Sequence, residues 1–173
     1  MRKKLFAFRL WSRLVPFLVS LWFGSCKVSF SGVSVQPDVK TIRIDQFANE
    51  APLSVPNLAQ VMSDAVRERF INQSRLSLVP AGGDLVLTAT ITQYQILAQN
   101  ITSGNTAAQN RLTLTARVKF QNTRYPDQGW EENFTTFTDF PADRDLGQLQ
   151  TELNQELCNR MAQDIFNKAL SDW

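Results

Sequence analysis

RLTLTARVKFQN, residues 111–122, is the stretch on which the reading of the fold turns. Leu112, Leu114, Ala116, Val118 and Phe120 alternate one by one with Arg111, Thr113, Thr115, Arg117, Lys119 and Gln121. Successive side chains of a strand point to opposite faces, so this period predicts a β-strand with one dry face and one polar face. The polar side has two readings at this point. An antiparallel sheet can leave one face to water, or a Thr/Arg/Lys/Gln face can lie inside a larger partner.

Neighbouring segments extend the pattern. In DLVLTATITQYQILAQ (84–99), Leu85, Leu87, Ala89 and Ile91 alternate with Val86, Thr88, Thr90 and Thr92. WEENFTTFTDF (130–140) returns as a last strand after a TRYPDQG turn. NITSGNTAAQN (100–110) is polar and contains glycine, which predicts a hairpin tip and a second contact surface. Upstream, VKTIRIDQF (39–47) sets Ile42 and Ile44 on one side of a first strand, and SRLSLVP (74–80) leads through Ala81, Gly82 and Gly83 into the long one.

Two stretches carry a helical period instead. Leu58, Val61, Met62, Ala65, Val66 and Phe70 recur every three or four residues, with Ser54 or Asn57 placed to cap the start. Leu146, Leu149, Leu153, Leu157, Met161, Ile165 and Ala169 make a longer stripe, widened by Cys158, Ala162 and Phe166. The order is therefore β–α–β–β–β–α. It predicts an α+β two-layer sandwich, with two helices packed on one face of a mostly antiparallel four-stranded sheet.

The charge of the chain is unevenly distributed. Five of its 18 basic residues, and none of its 16 acidic ones, fall in residues 1–25, so 26–173 hold 13 against 16. The nominal net charge of +2 belongs to a leader, which argues against a nucleic-acid partner. That leader has a basic start (MRKKLFAFRLWSR) and ten uncharged residues (LVPFLVSLWF), too few for a spanning helix of about 20. Gly24 and Ser25 then precede Cys26. Cys26 could be a buried thiol or the disulfide partner of Cys158. The leader logic favours a third reading: residues 1–25 are a cleaved signal peptide and Cys26 is the lipid attachment point. Residues 26–37 then form the lipidated N-terminus and tether, and 38–173 a single α+β domain.

Most catalytic chemistry lacks its residues. There is no histidine, so histidine-containing zinc sites, Ser–His–Asp triads and Cys–His dyads are excluded. No nucleophile elbow, P-loop or dinucleotide fingerprint occurs. An envelope hydrolase would have to use Glu131 or Glu132, but adjacent strand residues point to opposite faces. Asp139, Asp143 and Asp145 precede a helix, where acids commonly complement its N-terminus. The expectation is a protein that binds or assembles, with no enzymatic activity, no cofactor and no metal.

SCKVSFSGVSV, PDVKTIRIDQFANEAP, NLAQVMSDAVRERFINQSRLSLV and GGDLVLTATITQYQI together resemble the LptE-like lipopolysaccharide-assembly lipoproteins, most nearly their Bacteroidetes-type branch. The resemblance covers about residues 26–170. It implies a domain of two helices on a four-stranded sheet and a non-enzymatic partner of the LptD-type outer-membrane β-barrel in a 1:1 complex. By that resemblance such a protein plugs the barrel, supports its assembly and engages lipopolysaccharide on its way to the outer leaflet. Lys27 after the cysteine is not the aspartate that holds many lipoproteins in the inner membrane, which implies an outer-membrane anchor facing the periplasm. On strand 111–122 the expected contacts to barrel or lipopolysaccharide are Arg111, Thr113, Thr115, Arg117 and Lys119, chosen from the pattern alone. The competing reading is another periplasmic lipoprotein adaptor, a secretin pilot or a peptidoglycan-synthase activator.

Lipidation is tested directly by mass spectrometry of the native N-terminus. The expected species begins at Cys26 and carries the mass of a diacylglyceryl group, and Cys26→Ser abolishes both cleavage and membrane association. An unmodified Cys26 thiol overturns the assignment.

Overall fold

The computed structural model describes residues 36–53, 55–99 and 108–171. The leader, Cys26, most of the tether and most of loop 100–110 fall outside them. The sheet is built from β1 (Thr41–Ile44), β2 (Ala48–Asn49), β3 (Ser77–Leu78), β4 (Leu85–Gln99), β5 (Gln109–Asn122) and β6 (Trp130–Pro141). The helices are α1 (Leu58–Gln73), between β2 and β3, and α2 (Leu146–Ser171), after β6.

Strand β5 forms as its alternation predicts. Leu112, Leu114, Ala116 and Val118 are fully buried and Phe120 nearly so, while Arg117 and Lys119 are exposed. Each large buried side chain contributes roughly 1.5–3 kcal/mol relative to exposure. Its neighbours β4 and β6 run antiparallel on either side, Leu87 opposite Phe120 and Leu114 opposite Thr136. The ladder slips between Ile91 and Gln93, where a bulge lets the buried series pass from Leu85, Leu87, Ala89 and Ile91 to Tyr94.

The expected four-stranded, mostly antiparallel sheet is corrected here. The sheet is mixed and six-stranded, ordered β3-β1-β4-β5-β6, with β2 also pairing β4. β1 runs parallel to both β3 and β4, and β2 parallel to β4. The cause is topological. Helix α1 is a crossover that carries the chain from β1 to β3, and a crossover of this kind returns the chain in the same direction. The strand expected at 39–47 is shorter as well, Thr41–Ile44, and β2 begins only beyond its expected end. Phe47, 3% exposed, turns into the core between β1 and β2, and its backbone N–H donates to the buried Ser63 Oγ at 2.9 Å.

Both helices lie on the face that β5 buries. Leu58, Met62, Val66 and Phe70 of α1 and Leu157, Met161, Ile165 and Phe166 of α2 join one core with the apolar residues of β1, β4 and β5. The helices meet through Phe70 and Phe166, whose rings stand edge to face with centroids 5.1 Å apart. Two buried hydroxyls seat α2 on the sheet: Tyr94 Oη donates to Asn154 Oδ1 at 2.9 Å, and Thr136 Oγ1 donates to the Leu157 carbonyl at 3.5 Å. Asn57 does not cap α1 with its side chain. It takes the left-handed conformation, φ 62°, and its carbonyl accepts the Val61 N–H.

Asp84 ties the start of this sheet together. Its Oδ2 accepts from the N–H groups of Lys40 and Thr41, at 2.9 and 3.0 Å, and from Thr41 Oγ1 at 2.8 Å. Its Oδ1 takes Arg124 Nε at 2.6 Å, and its own N–H donates back to Thr41 Oγ1. The turn that delivers it needs glycine. Gly83 has φ +100°, and a Cβ there would stand 3.0 Å from the Leu85 carbonyl and 3.2 Å from Arg43 N.

Asp84, partly buried, and Cys158, buried in α2, each lead to a measurable expectation. The Lys40 backbone N–H, then Arg124, then Thr41 hold the Asp84 carboxyl well below the usual range. A depressed folded value stabilises the protein in full above the unfolded aspartate pKa of about 4, and that stability drains as pH falls below it. In urea titrations Asp84→Ala should cost about 1–3 kcal/mol at neutral pH and flatten the acid limb of the stability profile. An unchanged acid limb would contradict the clip. Cys158 is fully buried in α2, and desolvation pushes its thiol up to about 12. It should stay inert to thiol reagents in the folded protein at pH 8 and react only as denaturant unfolds the chain.

Candidate functional site

The five contact residues read from the sequence all lie on β5, on the face turned away from the helices. The register assembles them into rows with their neighbours. Arg111 sits between Leu97 and Asp139, Thr113 between Gln95 and Phe137, and Thr115 between Gln93 and Thr135. Arg117 sits between Thr90 and Asn133, and Lys119 between Thr88 and Glu131. Thr115 links its row through Oγ1, 3.0 Å from Thr135 Oγ1 and 3.4 Å from Gln93 Oε1. The result is a broad polar surface across three strands with its own side-chain ladder.

The three cations of this face have different duties. Arg111 grips Asp139 in a two-pronged contact, Nε to Oδ1 at 2.8 Å and Nη2 to Oδ2 at 2.9 Å. Its guanidinium also lies 4.0 Å from the centre of the Phe137 ring. The hydrogen-bonded pairing with Asp139 raises the Arg111 pKa, and the same bond lowers that of Asp139. Arg111 is thus a brace between β5 and β6. The side chains of Arg117 and Lys119 are exposed and make no hydrogen bond or ion pair among the described residues. Lys119 also borders a shallow cavity of about 350 Å³ with Phe120, Trp130 and Glu131, where the Phe120 and Trp130 rings stack with centroids 5.4 Å apart.

Strand β6 supplies one of the three strands of this surface, and the sequence reading of the contact residues passed over it. Asn133, Thr135, Phe137 and Asp139 share the outer face with β5, and Phe137 is 46% exposed. The signal was present as a second period-two run, obscured because Glu132, Thr136 and Thr138 interrupt Trp130, Phe134 and Phe140 at its inward positions. Glu131 and Glu132 occupy successive positions on this strand, Glu131 opposite Lys119 and Glu132 opposite Val118, so they face opposite ways. Asp145 Oδ1 accepts the Gly147 N–H at 2.9 Å, which places this acid at the start of α2 as helix chemistry favours.

Among the described residues no group of three or more His, Cys, Asp or Glu side chains is placed to hold a metal ion. No described helix is long and apolar enough to cross a membrane. What the surface offers chemically is a set of hydroxyls, amides and two unengaged cations, suited to polar or anionic partners.

No curated protein sequence matches the chain. Solved structures that share its fold include a minor lipoprotein of Acinetobacter baumannii, at 10% identity and TM-score 0.51, aligned over 78% of this chain and 94% of that one. A hypothetical protein of Chlamydia trachomatis aligns at 10% identity and TM-score 0.56 over 78% of this chain and 99% of its own. A protein of Xanthomonas campestris aligns at 9% identity and TM-score 0.51, over 78% and 88%. At such identities the likeness speaks for the fold alone. The sequence profile of LptE, described as Lipopolysaccharide-assembly, matches residues 39–169, from the residue before β1's lead-in to the last turn of α2. The chain belongs to the LptE family of lipopolysaccharide-assembly lipoproteins.

Proposed function

We propose that this protein is an outer-membrane lipoprotein, anchored through Cys26, that partners and plugs an LptD-type β-barrel. In that role it supports assembly of the barrel and delivery of lipopolysaccharide to the outer leaflet. Family membership supports the role in lipopolysaccharide assembly, and a non-enzymatic role agrees with the character of that family. The observation that carries the barrel reading is the outer face of the sheet. A barrel lumen is polar, so a plug needs a broad surface of hydroxyls, amides and charges instead of an apolar patch. The rows centred on Thr113, Thr115, Arg117 and Lys119 supply it.

Arg117 and Lys119 are the residues offered to acidic lumen side chains or to lipid phosphates, since their charges are not engaged within the described chain. Thr113 and Thr115 provide neutral hydrogen-bonding area between them and the Arg111 brace. Two independent attachments, lipid and protein, would then hold the plug at the membrane.

Photo-crosslinking from positions 113, 115, 117 and 119 in cells is expected to capture one large outer-membrane barrel. The paired substitutions Arg117→Gln and Lys119→Gln should leave the unfolding free energy within about 0.5 kcal/mol of the parent, as exposed sites do, while cutting co-purification with the barrel. Capture of a secretin or a peptidoglycan synthase, with normal surface lipopolysaccharide after depletion, would replace this reading with that of an adaptor.

A further inference from the structure

The second open feature of the molecule is an edge. β6 is the last strand of the sheet, and along its 12 residues no strand of the described residues pairs with its far side. In an antiparallel ladder, alternate residues turn both backbone groups away from the neighbouring strand. The Phe137 carbonyl is one such group, since it accepts from Arg160 Nη1 of α2 at 3.0 Å instead of from β5. By the same alternation Asn133, Thr135 and Asp139 turn theirs to the same side.

Helix α2 runs beside this edge. Glu156 is bonded to Thr138 Oγ1, Leu157 to Thr136 Oγ1, and Lys168 stands 3.9 Å from Glu132, so helix and strand run in opposite directions. Between them lies a groove of about 310 Å³ lined by Thr135, Thr136, Phe137, Arg160, Gln163 and Asp164. An edge strand flanked by a helix is the arrangement by which proteins accept an extended peptide as an added strand.

Charge chooses the occupant. Asp164 makes no ion pair among the described residues, whereas Arg160 is held by Glu156 and the Phe137 carbonyl. β6 carries no base, and of its acids Asp139 is held by Arg111 and Glu132 lies beside Lys168, which leaves Glu131 without an ion pair among the described residues. A second copy of the chain is a poor fit: pairing β6 with itself about Thr135 sets Glu131 against Asp139, and like charges directly opposite destabilise a strand pair.

We propose that the groove between β6 and α2 takes an extended, basic segment of a partner polypeptide as an added strand. The backbone groups of Thr135 and Phe137 pair with it, Asp164 supplies the counter-charge, and Arg160 guards the edge until the segment displaces it. The site is separate from the outer sheet face and does not rest on the barrel reading.

The test uses the full-length lipoprotein in detergent and a short fluorescent peptide of alternating lysine and valine. Anisotropy should report binding that weakens with salt, and hydrogen exchange should show new protection centred on Thr135 and Phe137. Alternate N-methylation of the peptide removes its backbone donors and should weaken binding about tenfold or more, while a glutamate–valine peptide should not bind. Asp164→Asn should weaken the lysine peptide by about twofold to fivefold, and Arg160→Ala should tighten it by removing the guard. No binding, binding unaffected by N-methylation, equal binding of the glutamate peptide, or protection elsewhere than β6 would each overturn the proposal.

Discussion

A strand can bury only every second side chain, and β5 places all of its large apolar residues in that half. This one constraint organises the molecule. Because Leu112, Leu114, Val118 and Phe120 need cover on the same side, both helices must lie there. Because the other half of the strand is Thr, Arg and Lys, nothing in the domain needs to cover it. The surface available to a partner is the necessary complement of the core.

Polar contacts then fix how the layers meet. Apolar packing is permissive about sliding, since any side chain of suitable volume fills a gap. Tyr94 to Asn154 sets α2 against β4, and Ser63 to Phe47 sets α1 against the joint between β1 and β2. Each pairs buried groups that would cost about 1–3 kcal/mol if left unsatisfied, so each penalises a shifted arrangement. Asp84 does the same at the sheet's open end, holding the first residues of β1 and the turn after β5 to the start of β4.

Much of this was legible in the residues, for reasons that also mark its limits. β5 and α2 could be read because their apolar periods are long and unbroken. The pairing direction of β1 could not, because alternation says which face a residue takes and nothing about the orientation of the neighbouring strand. β2 and β3 hold two residues each, too short for any period to register. The bulge after Ile91 breaks the odd-numbered series without leaving a glycine as a clue. On the polar face the positions of Arg111, Arg117 and Lys119 were readable, but their distinct duties were not. Only the register brings Asp139 and Phe137, 26 and more positions away in sequence, against Arg111.

The same reasoning explains why this fold persists among structures at about 10% identity. What the core requires is apolar volume at alternate strand positions and along two helical stripes, and many residue choices meet that requirement. The outward positions carry no such demand, so they can take the charges and hydroxyls of a particular partner without disturbing the interior. The β6 edge differs again, because what it presents is backbone, which no substitution short of proline removes. A domain built this way exposes two kinds of surface: one face whose chemistry is free to change, and one edge whose hydrogen-bonding groups the fold itself supplies.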